Sequence, residues 1–484
     1  MNTSVKTAVM LLLLSFVLFS LFFMKKSDRR IYPVLGIDVL QNVGVFEDHM
    51  DALEHWAEKG IRNAVLVNID AHDDLKRVAP EKMEELKAAY HHKVKEPRTS
   101  EIGQDVYAPV TNGNFIHAAA KLGIVKKVIW IVPSSYNLFS DSGSQLAQLL
   151  KMYGFPDEDI KTFRIKNGCF IGDTDGIPLV ICDIGSLPNL NEPILLSIDV
   201  DFFPSISNDN LKITNSVKQT FSALFNKGYA IRDAVVAYSV NEGFLGTCYR
   251  WVGDLVSDIL RQPGIISHAA LPDRYSVLQR ADLLLVMERF DDLLNYFSPF
   301  LTRDGIDPAI LMYAAKAYQR LGEMEKSFRC AERACLAENT YCYGLPELGS
   351  IVLDERGLDA AERFFVRGYD LRPKMDHGQF RFAMALKESG RAADAITYFN
   401  VFRDRFGSFP VDFYIAETFL LMGDETSAMR YYDSGRTELV KNPSVLAGFG
   451  NFKTIEKAAK FYEQKGFGRY ASELRESIKF MDMR

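Results

Sequence analysis

The chain has 484 residues, too many for one compact core, so two or three domains are expected. Hydrophobic residues make up 48% and charged residues 25%, a globular rather than a disordered balance. A net charge of −6 and a pI near 5.9 exclude the broad basic footprint of a nucleic-acid binder.

Thr7 to Met24 is an uncharged run rich in Leu, Phe, Val and Met. At about 1.5 Å per residue it would span roughly 27 Å, close to a bilayer core. A cleaved signal peptide would have a shorter apolar run and a small-x-small cleavage site, whereas Phe22, Phe23, Met24 and Lys25 follow here. The sequence therefore predicts an N-terminal transmembrane helix, with residues 1–30 as anchor and basic flank. Lys25, Lys26, Arg29 and Arg30 lie after the span and only Lys6 before it, which predicts a cytoplasmic C-terminal portion. Six cysteines without a CxxC pair read as reduced, buried thiols, in keeping with that placement.

Residues 31–275 alternate strand-like and helix-like segments. Val43–Phe46 is a short strand candidate, and Asp48–Lys59 an amphipathic helix ending at Gly60. The β-branched run Ala64–Ile69 predicts a strand, and Glu81–His91 and Phe115–Leu122 predict helices. Val128–Val132, Pro178–Cys182, Ile194–Ile198 and Ala234–Val240 are further strands. Continuous apolar strands alternating with helices imply an α/β fold with a doubly wound, mainly parallel sheet buried on both faces.

Two acidic motifs stand at the carboxyl ends of such strands: Asp70-Ala71-His72-Asp73-Asp74 and Asp199-Val200-Asp201. Functional groups of open α/β sheets gather at those ends. Residues two apart on an extended chain point the same way, so Asp70, His72 and Asp74 converge, as do Asp199 and Asp201. Four carboxylates and an imidazole at one rim repel each other unless a cation neutralises them. They predict a divalent metal site, for two ions.

From about Tyr275 strand signals cease and a helical repeat begins, giving residues 276–484 as an all-α domain. Turns at Arg289, Gly322, Arg356, Gly390 and Gly423 are spaced 33, 34, 34 and 33 residues apart. A small residue follows each of the last four turns by five positions: Ser327, Ala361, Ala395 and Ala428. Period and register match a tetratricopeptide solenoid, with an atypical unit near Gly466 and Ala471 as its cap. Its concave surface predicts a protein or peptide partner.

The acidic motifs resemble those of the arginase/deacetylase superfamily, whose Asp-x-His-x-Asp and Asp-x-Asp motifs hold two ions, usually manganese. A poorly characterised branch is closer still, through Glu47-Asp48-His49, Asn114-Phe115-Ile116 with Val128-Ile129-Trp130, and Ile198-Asp199-Val200-Asp201-Phe202-Phe203. The glycine-rich histidine motif of arginases is absent. The resemblance implies an arginase-like fold for residues 31–275 and two manganese ions, with zinc or magnesium as alternatives. It implies that Asp70 and Asp199 bridge the ions, that His49 and Asp74 complete one site, and that His72 and Asp201 complete the other. His117 would be a proton shuttle, or else a helix residue making a local hydrogen bond. Glu242 would contact substrate or cap the next helix. The implied activity is hydrolysis of a C–N bond in a guanidino or amide substrate by a metal-bridging hydroxide. The alternative is an inactive, membrane-tethered metal-binding scaffold working through its repeats.

Overall fold

In the computed structural model the described residues are 42–95, 110–136, 144–206, 212–240, 243–267, 271–303, 305–373, 375, 378–407, 409–441 and 452–482. Eight of their strands form one sheet: β1 (Gly44–Phe46), β2 (Ala64–Ile69), β3 (Val125–Ile131), β4 (Arg164–Lys166), β5 (Cys169–Thr174), β6 (Ile177–Cys182), β7 (Ile194–Asp199) and β8 (Ile231–Ala237). Their order is β1-β8-β7-β2-β3-β6-β5-β4. Pairing is parallel from β1 through β6, and β5 and β4 are added antiparallel at the far edge.

Alternation within the strands explains burial on both faces. In β2, Val65, Val67 and Ile69 join one hydrophobic core while Ala64 and Leu66 join the other. Trp56, on α1 (Asp51–Glu58), and Phe115 and Ala119, on α3 (Phe115–Lys121), cover the second face together with α2 (Pro80–Lys95). The first face is covered by α7 (Ile213–Lys227) and α8 (Arg250–Arg261), through Val217, Phe221, Trp251 and Leu255. In sequence between α3 and α7 come α4 (Ser144–Met152), whose Leu146 and Leu150 join the second face, α5 (Asp157–Ile160), and α6 (Phe202–Ile206), whose Phe202 and Phe203 join the first.

The strand order reverses between the parallel neighbours β2 and β7. From β2 the sheet grows to one side through β3 and β6, then returns to β7 on the other side. In open α/β sheets the crevice at such a reversal is where ligands bind. Ile69 pairs with Ile198 in register, so the two acidic motifs leave the sheet side by side at that crevice.

After α9 (Asp273–Val286) and α10 (Phe290–Leu301) come antiparallel helix pairs. They are α11 (Pro308–Arg320) with α12 (Met324–Ala337), α13 (Gly344–Arg356) with α14 (Leu358–Leu371), α15 (Gln379–Glu388) with α16 (Ala392–Phe406), α17 (Val411–Leu421) with α18 (Glu425–Lys441), and α19 (Phe452–Gln464) with α20 (Gly468–Asp482). Ser327, Ala361, Ala395, Ala428 and Ala471 are all buried between paired helices, where a larger side chain would force them apart. The left-handed turn conformation falls at Gly357, one residue beyond the expected Arg356, because φ is +84° there and glycine has no Cβ to clash. One apolar core runs from the sheet through Trp251 and Tyr313 into the repeats, so the solenoid is packed onto the sheet rather than tethered to it.

Several expectations need correction. Thr7–Met24 lies outside the described residues, and among those described no helix is long and apolar enough to cross a membrane. The N-terminal transmembrane helix, the single-pass localisation and the cytoplasmic orientation are therefore withdrawn. Among the described residues the chain is predominantly helical, with repeat hairpins and an eight-stranded mixed sheet, so the expected arginase-like α/β fold is not what they form. The cysteines are not all free. Cys169 pairs with Cys182 and Cys335 with Cys342, while Cys248 and Cys330 are buried thiols. Sequence spacing cannot show that β5 and β6 lie edge to edge, which is what joins the first pair. Disulfides persist in oxidising compartments, so the cysteine argument for a reducing one falls with them.

Candidate metal centre

Four parallel strand ends supply the site. His49 follows β1 in the bend leading to α1, Asp70 directly follows β2, and Asp199 ends β7. Ser239 lies just beyond β8, where its amide donates to the Glu47 carbonyl (3.0 Å) and ties the β8 and β1 exits together. The buried Trp130 indole donates to the Asp70 carbonyl (3.0 Å) and fixes the strand exit from the β3 side.

Two ligand groups result. His49, Asp70 and Asp74 form one, and Asp70, His72 and Asp201 the other, with ligand atoms within 4.8 Å of one another in each. Asp70 belongs to both. His49 Nδ1 stands 3.1 Å from Asp70 Oδ2, 3.0 Å from Asp74 Oδ2 and 3.4 Å from Asp199 Oδ2. His72 Nδ1 is 3.0 Å from Asp201 Oδ2 and 3.7 Å from Asp70 Oδ1. Adjacent ligands of an octahedral ion with bonds of about 2.1 Å are about 3.0 Å apart, which fits the shorter separations.

Polar satisfaction points the same way. His49 Nδ1 is buried without a hydrogen-bond partner despite the three carboxylate oxygens facing it. Both carboxylate oxygens of Asp201 are buried without a hydrogen-bond partner as well, although Oδ2 faces His72 Nδ1. Leaving such groups unmatched costs free energy unless a cation takes them up. Groups behind the ligands are in contrast well placed. Ser197 Oγ shares a 2.6 Å hydrogen bond with His49 Nε2, and the Ser239 hydroxyl donates to Asp199 Oδ2 (2.6 Å). The His72 amide donates to Asp70 Oδ1 (2.8 Å) and the Asp201 amide to Asp199 Oδ1 (3.1 Å). Such outer contacts orient ligands. Asp74 and Ser239 have φ of +51° and +52°, conformations that non-glycine residues hold only under constraint and that cluster at functional sites.

The cluster's electrostatics show how much positive charge it demands. Burial disfavours a charged His49, yet the carboxylates of Asp199, Asp70 and Asp74 hold its pKa well above the usual imidazole range. Burial likewise opposes a charged His72, but Asp201 and Asp70 raise it to about 11. Burial and the charge of Asp199 push Asp201 up to about 7. Burial and the charge of Asp70 push Asp74 well up. Burial opposes ionisation of Asp70 too, but His49 and His72 keep it below the usual carboxylate value.

The sign of the resulting pH dependence follows. A raised folded-state pKa stabilises fully below the unfolded value, and that contribution is lost as pH rises through the folded value. Asp201, Asp74, His49 and His72 all act in that sense, and for Asp201 the loss runs from its unfolded 3.8 to about 7. Asp70 acts oppositely, but only in acid below the usual 3.8. Thermal melts of metal-free protein are expected to show stability falling between roughly pH 5 and 8, with excess manganese cancelling the fall. Melting temperatures that rise with pH in the metal-free protein would contradict this reading of the cluster.

Asp199 approaches His49 but joins neither three-ligand group, its carboxylate being held by Ser239 and the Asp201 amide. His117 is placed elsewhere. Its Nδ1 accepts from the Val78 amide (3.3 Å) and its Nε2 meets Asp175 Oδ2 (3.0 Å), so both nitrogens are used within the scaffold. Burial lowers its pKa, in keeping with a neutral ring in this role. Glu242 lies outside the described residues. Ser197 and Ser239 are the additions sequence reasoning missed. Ser197 shares the alternation of Asp199 and Asp201, a usable signal; Ser239 has no such signal, because its approach to Asp199 depends on the turn after β8. A separate cleft of about 650 Å³, lined in part by Lys127, Lys166 and Lys227, contains none of the acidic cluster.

No family model matches the chain, and no curated protein matches it. Similar solved structures include MamA (AMB-1), 18% identical, covering 37% of this chain and 97% of that one, with a TM-score of 0.27. A tetratricopeptide repeat protein from Parabacteroides merdae ATCC 43184 is 19% identical, covering 50% and 98%, with a TM-score of 0.22. A human IFIT1 dimer with m7Gppp-AAAA is 12% identical, covering 92% and 99%, with a TM-score of 0.25. Likeness at this level carries no argument about activity or partners, and it lends nothing to the arginase-like resemblance. The helical-repeat architecture rests on the chain's own stacked hairpins.

Proposed function

We propose that the β2/β7 crevice is a dinuclear divalent-metal centre that hydrolyses a C–N bond in a guanidino or amide substrate, and that the repeats recruit a protein or peptide partner. The observation that carries the reading is the buried, unpartnered His49 Nδ1 facing three carboxylates, with Asp70 shared between two ligand groups. His49, Asp70 and Asp74 would hold one ion and Asp70, His72 and Asp201 the other, with Asp199 beside the first. Mixed carboxylate and imidazole donors suit manganese, with zinc or magnesium as alternatives. When bound, such ions supply Lewis acidity and hydroxide at neutral pH.

The chain's own residues would then orient and admit substrate. Ser197 fixes the His49 ring and Ser239 fixes Asp199, which keeps the ligands in place without a large rearrangement. His72 is the outermost ligand, with a side chain 37% exposed. The rings of Phe244 and Tyr153 lie 5.0 and 6.5 Å from it, so substrate would enter past an aromatic edge. The resemblance of the acidic motifs to arginases and deacetylases is what suggests C–N chemistry.

Full-length protein loaded with manganese, offered a panel of guanidino and N-acyl compounds, is expected to release urea or amine in a metal-dependent way. Asp199→Asn should cut that activity by about 10–100-fold, the range of an outer contact, since Asp199 stands beside the first group rather than in it. Metal retention without turnover of any compound would instead favour the inactive scaffold.

A further inference from the structure

The loop after β8 connects the repeats to the acidic cluster. Near its start, Ser239 holds Asp199 (2.6 Å), and the Leu245 amide closes back on the Ser239 carbonyl (3.0 Å). Phe244, in the same loop, lays its ring 5.0 Å from that of His72. At the far end, the Thr247 amide donates to Glu347 Oε2 (2.8 Å), and Glu347 Oε1 is paired with Lys316 Nζ (2.7 Å). Glu347 lies on α13 and Lys316 on α11, so this anchor belongs wholly to the repeats. Each side chain is only 17% exposed, which makes the pair a fixed point rather than a solvated surface bridge.

A parallel contact runs to the other ligand-bearing segment. Glu338, at the end of α12, lies 3.7 Å from Arg250, whose guanidinium stacks 3.8 Å over the Tyr238 ring. Arg250 also pairs with the Glu47 carboxylate (2.5 Å), two residues before His49. Both contact routes start on the repeats: one ends on Ser239, which holds Asp199, and the other on Glu47, two residues before His49.

We propose that Glu347, held by Lys316, is a positioning residue of the metal centre: through Thr247 it fixes the loop that sets Ser239 on Asp199 and Phe244 on His72, so the repeats tune metal affinity. This rests on the metal-centre reading above. It gives the solenoid a role inside the site, in addition to any partner it recruits.

The test is manganese titration of the full chain by calorimetry, with electron paramagnetic resonance of the bound ions. Wild type is expected to bind, and Glu347→Ala to bind ~10-fold or more weakly, the usual cost of removing an outer contact. Glu347→Gln keeps an acceptor for the Thr247 amide while losing the charge toward Lys316. It should fold even if the alanine variant does not, and should recover part of the affinity. If Glu347 acts through the loop, Ser239→Ala and Glu347→Ala will be non-additive in the double variant, which loss of general stability would not produce. A changed resonance signal of bound manganese in Glu347→Gln would agree. Unchanged affinity and signal in a folded Glu347 variant, or strict additivity with Ser239→Ala, would overturn the inference while leaving the metal centre standing. Wild type that binds no manganese would overturn the metal-centre reading and this one with it.

Discussion

Replacing Asp70 by asparagine is expected to cost the protein both metal ions, whereas replacing Asp74 is expected to cost only one. Asp70 is the single residue present in both ligand groups, with Oδ2 facing His49 and Oδ1 facing His72. Asp74 belongs to the His49 group alone. In Asp70→Asn, affinity for manganese should fall by more than ~100-fold at both sites, since a ligand is lost rather than an outer contact. Metal-free stability should fall as well. His49 and His72 hold the Asp70 carboxylate charged in the folded protein, so the asparagine loses both pairings and leaves the two buried imidazoles less well matched. Saturating manganese should add about 2.7 kcal/mol to wild type at 100 times its dissociation constant, and almost nothing to Asp70→Asn. Calorimetric titration and melts with and without manganese measure both quantities. If Asp70→Asn and Asp74→Asn each lose one ion, the shared-ligand geometry is wrong.

The second large effect lies where the sheet meets the repeats. Trp251 is fully buried on α8, its indole N–H donates to the Tyr313 hydroxyl on α11 (3.0 Å), and its ring tilts against Tyr275 at 6.2 Å. Trp251→Ala should cost about 3–5 kcal/mol through the cavity it opens, and it also leaves the buried Tyr313 hydroxyl without that donor. Because one core runs from the sheet into the repeats, sheet and solenoid should melt together in wild type. In the variant the transition should move to lower temperature and split, as the seam that couples the two parts is weakened. A wild type with two well-separated transitions would show that the shared core does not couple them.

Much of this was readable in the sequence because the relevant signals are local. The apolar runs Ala64–Ile69 and Ile194–Ile198 are buried on both faces, and the motifs they deliver converge at the crevice. The buried small residues Ser327, Ala361, Ala395 and Ala428 carried the repeat register. What was not readable depends on distant partners. β4 is Arg164-Ile165-Lys166, exposed throughout and defined only by its pairing with β5 at the sheet edge. The Cys169–Cys182 bridge follows from that same edge. The shuttle role of His117 comes only from the arginase-like resemblance, and the contact of its ring with Asp175 in the β5–β6 turn depends on a segment 58 residues away. Ser239 is brought to Asp199 by a left-handed backbone turn, a conformation no residue pattern around it announces.

The metal centre is tested most directly by the number of ions the full chain holds. Protein purified without chelator, incubated with manganese or zinc and freed of excess, should carry close to two divalent ions per chain by elemental analysis, and close to none after Asp70→Asn. Fewer than one ion per chain in the wild type would contradict it.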